Sequence, residues 1–436
     1  MRKILLLTPL LLLLSGCFGS ENLMQAPRPA VQYRNLQTQI DVLIADGYTY
    51  SAPVSGDNRQ AVLTADLTGD GTEAAVVLMR NETENILAVF LSVDDEFIPV
   101  PPIYENVESV HSIVFCDMNG DGRQEIIVGW QVGSQRYISV YTLDENILTE
   151  IFTSPYSGYA IYDIEDNGIP ALLLVKVDTS EQLVEMVTDR GGELAVASTA
   201  YLSPGAEAVR RIRTGPLLDK KPGLLITSQY QTGSGEITDV IAFRDGGLVN
   251  ISASIETGVS EMLVRNRELA AADIDDSGVY SLPRLVELPP YQGGEESSED
   301  IFTETRWMAY DSVGYYKETA RTYHSMNNTW YILLPEQWPQ PEQYTVRRTL
   351  SSAPQKTTFS LLQEEGEPID FLHIYYLNQP VNDRRSVRDR TVLAEYGNLF
   401  ATAEIIPLPD EYAHYALSEA ELKSIFKIIP ADWRGL

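Results

Sequence analysis

Asp117-Met118-Asn119-Gly120-Asp121-Gly122-Arg123-Gln124-Glu125, running without a break into Ile126-Ile127-Val128-Gly129-Trp130, decides how the rest of the chain is read. With Asp117 as position 1, oxygen-bearing side chains fall at positions 1, 3, 5 and 9 and glycine at 6, the spacing by which a tight loop surrounds a hard cation such as Ca²⁺. Gly122 permits the left-handed turn that wraps the backbone, and the carbonyl of Arg123 offers one more oxygen. A helix-flanked calcium hand would place a bidentate Glu at position 12, where this chain has Val128. The flanks, 112–116 and 125–130, read as buried strands. The stretch is a calcium-type loop inside a β-hairpin.

The stretch recurs. Asp66-Leu67-Thr68-Gly69-Asp70-Gly71 precedes the apolar run 74–78, and Asp163-Ile164-Glu165-Asp166-Asn167-Gly168 precedes 171–175. Asp273-Ile274-Asp275-Asp276-Ser277-Gly278 precedes a broken run, 282–288. A further, eroded copy is visible only through its strand, 223–227, which places its loop near 215–222. The spacing of roughly 50 residues, with about four short strands in each repeat, predicts an all-β chain folded as a β-propeller of about five to seven four-stranded blades. Segments 86–93, 137–143 and 183–187 are the expected third strands, and 151–153 and 194–200 closing strands.

The pattern Asp-x-Asn-Gly-Asp-Gly-x-x-Glu between two apolar strands resembles the FG-GAP/VCBS repeats of integrin-α-like propellers, over about residues 60–290. The resemblance implies that each loop joins two strands of a blade and binds structural Ca²⁺. The copy at 117 has the liganding pattern through Asp117, Asn119, Asp121, the Arg123 carbonyl and Glu125. The copy at 66 keeps Asp66 and Asp70, with Thr68 at the third place, Ala74 at the ninth and Glu73 one place early. One ion is expected at 117 and a second is allowed at 66. At 163, Asn167 and Ala171 replace ligands, and at 273 Ser277 and Ser281 do, so those loops are expected to be turns. An Asp/Asn/Gly turn without metal is the alternative reading at every copy.

Residues 1–17 read as a targeting segment: Arg2 and Lys3, an apolar stretch 4–14, then Leu14-Ser15-Gly16-Cys17. This resembles the bacterial lipobox, which implies cleavage before Cys17, a lipid on its sulfur, and a bacterial surface lipoprotein tethered outside the cytoplasmic membrane. The apolar stretch is too short to span a bilayer. Residues 18–34 read as a tether. Leu36, Ile40, Leu43 and Ile44 fall at helical spacing, predicting a short amphipathic helix packed on the first blade. The chain has two cysteines, so with Cys17 acylated Cys116 has no disulfide partner and reads as a small buried hydrophobe.

A formal charge of −30 excludes binding of nucleic acid through phosphate contacts. The propeller is expected over 35–355, with 356–436 either a last blade or a small α+β appendage. Residues 293–300 form an acidic, small-residue insert. The aromatics of 330–339 are expected mainly as core, with stacking on sugar rings or a peptide as the alternative. Strands are expected at 357–362, 371–377, 391–396 and 400–406. Residues 382–390 are a basic island, read as a solvated loop with an anionic partner as the alternative. Ser418-Glu419-Ala420-Glu421 is a capping box, predicting a helix through Ile428.

Catalytic signatures are absent from the sequence. Its four histidines have no metal-ligand spacing, and there is no Gly-x-Ser-x-Gly elbow, phosphate loop or dinucleotide fingerprint. Among 62 acidic residues a glycosidase-type carboxylate pair cannot be picked out. The expectation is a non-enzymatic, lipid-anchored extracytoplasmic protein with calcium-stabilised repeats that binds a cell-surface protein, peptide or wall glycan. The alternatives are a lyase or hydrolase acting on polysaccharide from a propeller scaffold, and a non-catalytic subunit assisting envelope protein assembly.

Overall fold

The computed structural model describes residues 31–94, 96–177, 180–231, 235–264, 269–292, 301–325, 329–349, 354–378, 390–396 and 399–429. Cys17, most of the expected tether, the acidic insert at 293–300 and the basic island up to 389 lie outside the described residues. No described helix is long and apolar enough to cross a membrane. The chain divides into two compact units, 1–154 and 155–436.

The fold is mostly β: six antiparallel sheets of four to six strands, consistent with propeller blades, with a small C-terminal helix. In the first unit, sheet I runs Thr49–Tyr50, Ala74–Arg80, Asn85–Val93, Glu96–Pro99, with Val62–Ala65 also paired to Ala74–Arg80 and Ile103–Glu105 to Asn85–Val93. Sheet II is the meander Ser109–Cys116, Glu125–Val132, Gln135–Asp144, Ile147–Pro155. Side chains of both sheets, among them Leu63, Val76, Val89, Ile113, Val128 and Trp130, share one buried cluster. Ala74 to Met79 are all buried, which is why this strand reads as a continuous apolar run and not as an alternation. The expected helix is present as Val31–Ala45, starting inside the stretch read as a tether. Leu36 and Ile40 are buried and Leu43 packs with them against Val77, Ile86 and Phe90 of sheet I, whereas Ile44 is exposed.

In the second unit, sheet III is Gly158–Tyr162, Ala171–Lys176, Leu183–Asp189, Leu194–Tyr201, and sheet IV is Ala206–Pro216, Pro222–Tyr230, Glu236–Arg244, Gly247–Asn250, with Leu263–Val264 added to Glu236–Arg244. The eroded copy is therefore a true hairpin whose turn, 217–221, has lost its ligands. Gly223 is required there, because a Cβ would lie 2.5 Å from Leu217 Cδ2. Sheet V is Leu282–Glu287, Thr303–Tyr310, Tyr316–His324, Trp330–Leu333, Phe426–Ile428. Sheets III and IV share one apolar cluster and sheets IV and V another, while V and VI enclose the aromatic core. A sheet with one apolar face cannot stand alone, and burying it against the next sheet is what makes a repeat array stable.

Sheet VI runs Tyr344–Thr349, Gln355–Leu361, Ile369–Asn378, Leu399–Ile405, Thr391–Tyr396. Its four expected strands are all present, and the boundary drawn at 355/356 falls inside it, because Tyr344–Thr349 pairs with Gln355–Leu361. The capping box forms as read, Ser418 accepting from the Glu421 N–H, but the helix is Glu419–Ile425 and stops short of Ile428. Phe426–Ile428 turns into a strand on the open edge of Trp330–Leu333, where Phe426 stacks on Trp330 at 5.5 Å between ring centroids. The edge hydrogen bonds and that ring contact outcompete one more helical turn. Trp330 and Trp338 are fully buried, so the aromatic segment is core and offers no binding rim.

Candidate functional site

Cys116 stands opposite Glu125 in the ladder of sheet II, so the acidic loop is the hairpin turn between two antiparallel strands, whose pairing shifts register only at Val110/Ser112. Inside it, Asp117 Oδ1 accepts the Gly120 N–H at 2.6 Å and that of Asn119 at 3.3 Å, and Oδ2 accepts the Gly122 N–H at 2.8 Å. Asn119 Oδ1 accepts from the Asp121 N–H at 2.9 Å, and Asp121 Oδ1 from the Arg123 N–H at 2.8 Å. Gly120 and Gly122 both have φ > 0, at 76° and 88°, which lets successive N–H groups point inward. Glu125 is buried and its Oε2 accepts the Met118 N–H at 2.8 Å. Burial raises the Glu125 carboxyl above the usual range; the Met118 N–H opposes this, and the charges of Asp121 and Asp117 add to it. The same surroundings, burial first and then Asp117 and Glu125, push the Cys116 thiol up to about 11.

The loop at 66 is built alike. Asp66 accepts the Gly69 N–H at 2.8 Å and the Gly71 N–H at 2.9 Å, and Asp70 accepts the Thr72 N–H at 2.8 Å and the Thr68 hydroxyl at 2.9 Å. The Thr72 N–H and the Thr68 and Thr72 hydroxyls hold the Asp70 carboxyl below its ordinary value. At 163 and 273 the fourth residue is Asp166 or Asp276, at φ 59° and 56°, in place of glycine. The leading Asp there accepts from the fifth and sixth N–H: Asn167 and Gly168 onto Asp163, Ser277 and Gly278 onto Asp273.

The loops at 66 and 117 touch, which the sequence did not reveal. The Gln124 N–H donates to Asp66 O at 3.0 Å, and the Asp66 N–H donates back to Gln124 Oε1 at 3.1 Å. Gly69 lies so close that a Cβ would stand 3.1 Å from Arg123 Cγ and 3.1 Å from Gly122 O. The two best-preserved copies are thus joined across sheets I and II.

The donor set at 117 suits a hard cation: three carboxylates, one amide oxygen and a backbone carbonyl. Each carboxylate oxygen engaged by an N–H keeps a second lone pair. Asp117, Asn119, Asp121, Glu125 and the Arg123 carbonyl would hold the ion. Among the described residues, however, no three His, Cys, Asp or Glu side chains converge into a metal-holding group. The Asn119 amide NH₂ and the Arg123 Nε, at 3.3 and 3.4 Å, occupy the side of Asp121 Oδ2. Asn119 and Arg123 would have to turn for the ion to enter.

A second polar group, missed in the sequence, sits on one face of sheet VI. The His373 ring lies 3.3 Å from Asp370 Oδ2 through Nε2 and 3.4 Å from Glu404 Oε2 through Nδ1. Tyr375 donates to Glu404 Oε2 at 3.0 Å, Arg347 to Asp370 Oδ2 at 2.6 Å and Ser360 to Asp370 Oδ1 at 2.7 Å. Burial alone would raise the Asp370 carboxyl, but the bonds from His373, Ser360 and Arg347 outweigh it and bring it to about 2. These residues come from strands as far apart as 347 and 404, so only strand register assembles them. Arg390, the described end of the basic island, lies 3.5 Å over the Tyr375 ring.

No protein-family model matches the chain, so the FG-GAP/VCBS resemblance rests on the quoted motifs alone. No curated protein matches either. Solved structures do. The rhamnogalacturonan lyase YesW matches over 73% of this chain and 76% of its own at 13% identity and TM-score 0.31. A Bacillus licheniformis rhamnogalacturonan lyase matches over 66% of each chain at 12% identity and TM-score 0.30. A Lactobacillus plantarum protein matches over 74% of this chain and 97% of its own at 10% identity and TM-score 0.29. The likeness is distant, concerns the fold alone and assigns no residue a role.

Proposed function

We propose that the chain is an extracytoplasmic binding protein, anchored through a lipid on Cys17, whose propeller-type sheets are stiffened by Ca²⁺ at the 117 loop. The loop at 66 is the second candidate site, through Asp66, Thr68 and Asp70. The observation that carries the reading is the reciprocal hydrogen bonding of Asp66 with Gln124. Fixing the 117 loop around an ion would fix the neighbouring loop and so couple sheets I and II. The ion's role is structural, since it neutralises carboxylates that otherwise repel one another. The ligand of the protein is a surface protein, a peptide or a wall glycan, and the acidity of the chain argues against nucleic acid. Calorimetric titration of the full chain with CaCl₂ tests the site. Saturable heat that disappears in Asp117→Ala supports it; no heat in the parent chain refutes it. Incorporation of labelled fatty acid, lost in Cys17→Ser, tests the anchor.

A second reading, an enzyme acting on polysaccharide, is favoured by the Asp370, His373, Tyr375 and Glu404 group. Those side chains lie within proton-transfer reach of one another, as general acid–base chemistry requires. The matched lyases act on rhamnogalacturonan from a fold of this kind. Depolymerisation of a wall polysaccharide by the full chain, abolished in His373→Ala, would support this reading. Inertness toward a broad polysaccharide panel would remove it.

A further inference from the structure

We propose that Arg123 is a built-in competitor for the cation of the 117 loop: its guanidinium takes the ion's place at Asp121, and the loop fills only by displacing it. This rests on the calcium reading above and adds to it a residue that regulates affinity.

Three contacts place Arg123 for that role. Its Nε lies 3.4 Å from Asp121 Oδ2, the oxygen to which the Asn119 amide also donates at 3.3 Å. Its stem is seated by the neighbouring loop, because Gly69 comes so close that a Cβ there would stand 3.1 Å from Arg123 Cγ. Its backbone is tied as well, the Arg123 N–H donating to Asp121 Oδ1 at 2.8 Å. The head therefore stays beside the carboxylates even when it turns away from Asp121. Turning costs little, since the two side chains are 44% and 38% exposed and an ion pair in such surroundings is weak.

Charge gives the direction of the effect. Asp117, Asp121 and Glu125 bring three carboxylates, and Arg123 is the one cationic residue within the nine-residue loop. At the corresponding place the other acidic loops have Thr72, Ile169 and Val279, so the competitor belongs to the copy with the fullest ligand set. A chain cation also meets the loop at 163: Lys221 Nζ, from the turn that has lost its ligands, lies 3.5 Å from Asp166 Oδ2. A calcium ion bonds a carboxylate oxygen at about 2.3–2.6 Å, which on Asp121 Oδ2 puts it within about 6 Å of Arg123 Nε as that side chain stands. At that distance, in water and moderate salt, one positive charge weakens the binding of a divalent cation about three- to tenfold.

The test is calorimetric titration of the full chain with CaCl₂, on the parent, Arg123→Gln and Arg123→Lys. Every variant keeps the backbone carbonyl at 123, so only the side chain changes. Arg123→Gln should bind Ca²⁺ about three- to tenfold more tightly than the parent in about 20 mM NaCl, and the gain should shrink below about twofold in about 0.5 M NaCl. Arg123→Lys restores the charge and should return most of the parent's weaker affinity. Melting gives a second readout: Arg123→Gln should melt at or below the parent in chelator, where its carboxylates have lost a counter-ion, and at or above it in millimolar Ca²⁺. A side chain that served packing alone would lower both midpoints. Binding in the parent with no gain in Arg123→Gln, or an equal gain in Arg123→Lys, overturns the proposal and leaves the calcium site standing. No heat in any of the three removes the calcium site and the competitor with it.

Discussion

Removing the guanidinium of Arg321 is expected to be among the most damaging single changes in sheet V. Arg321 Nε and Nη2 donate to Glu304 at 2.7 and 2.8 Å, and Tyr344 donates to the same carboxylate at 2.8 Å. Nη2 also donates to Pro339 O at 2.7 Å and Nη1 to Trp338 O at 3.4 Å, tying the strand to the turn that carries Trp338. Glu304 has no exposed side-chain surface, and a second cation near it, Arg306 Nε, is 3.9 Å away and shared with Glu318. Arg321→Met would leave a buried carboxylate with one phenolic donor, a loss of about 3–5 kcal/mol. Arg321→Met with Glu304→Leu removes the stranded charge and leaves only neutral orphans, the Tyr344 hydroxyl and two carbonyls. The pair should therefore be more stable than the single Arg321 variant by about 1–3 kcal/mol. Urea unfolding followed by tryptophan fluorescence, as a double-mutant cycle, reads both numbers. A single variant within about 1 kcal/mol of the parent, or a double variant no better than the single, would refute a buried pair of this kind.

Gly223→Ala should cost about 1–3 kcal/mol, read as a lower urea midpoint, because its new methyl meets the buried Leu217 side chain. Asp370 lies below its ordinary 3.8, at about 2, so its stabilising contribution is complete above pH 4 and is lost as pH falls from about 4 to 2. Parent and Asp370→Asn stabilities should accordingly converge by about 1–2 kcal/mol over that window, and parallel curves would remove the linkage. Cys116 is half-buried and not the fully buried hydrophobe expected; with its thiol at about 11, it should still react with an aromatic disulfide at pH 8 far more slowly than after unfolding in urea, and equal rates would contradict its raised pKa beside Asp117 and Glu125.

The sequence was most legible where local chemistry and burial agree. At 66 and 117, oxygen side chains, paired glycines and a following apolar run define the hairpin without any knowledge of neighbours. The eroded copy at 217–221 was found by its strand alone, because the sheets bury Leu224, Leu225 and Ile226 whatever the turn does. The touching of the loops at 66 and 117 could not be read, since it depends on how sheet I meets sheet II. Nor could the His373 group, which needs the register of Ile369–Asn378 against Leu399–Ile405 to place His373 opposite Glu404. The end of the C-terminal helix was misread for the same reason: nothing local warns that Phe426–Ile428 will find an open edge on Trp330–Leu333.

Thermal unfolding of the full chain in millimolar Ca²⁺ and in chelator, beside Asp121→Ala and Asp70→Ala, tests the calcium-stiffened loop most directly. Saturation of about one hundred times the dissociation constant corresponds to about 2.7 kcal/mol, a midpoint several degrees higher. That rise should vanish in Asp121→Ala and survive, in whole or in part, in Asp70→Ala. Identical midpoints with and without Ca²⁺ in the parent chain would mean that the loop at 117 is only a turn.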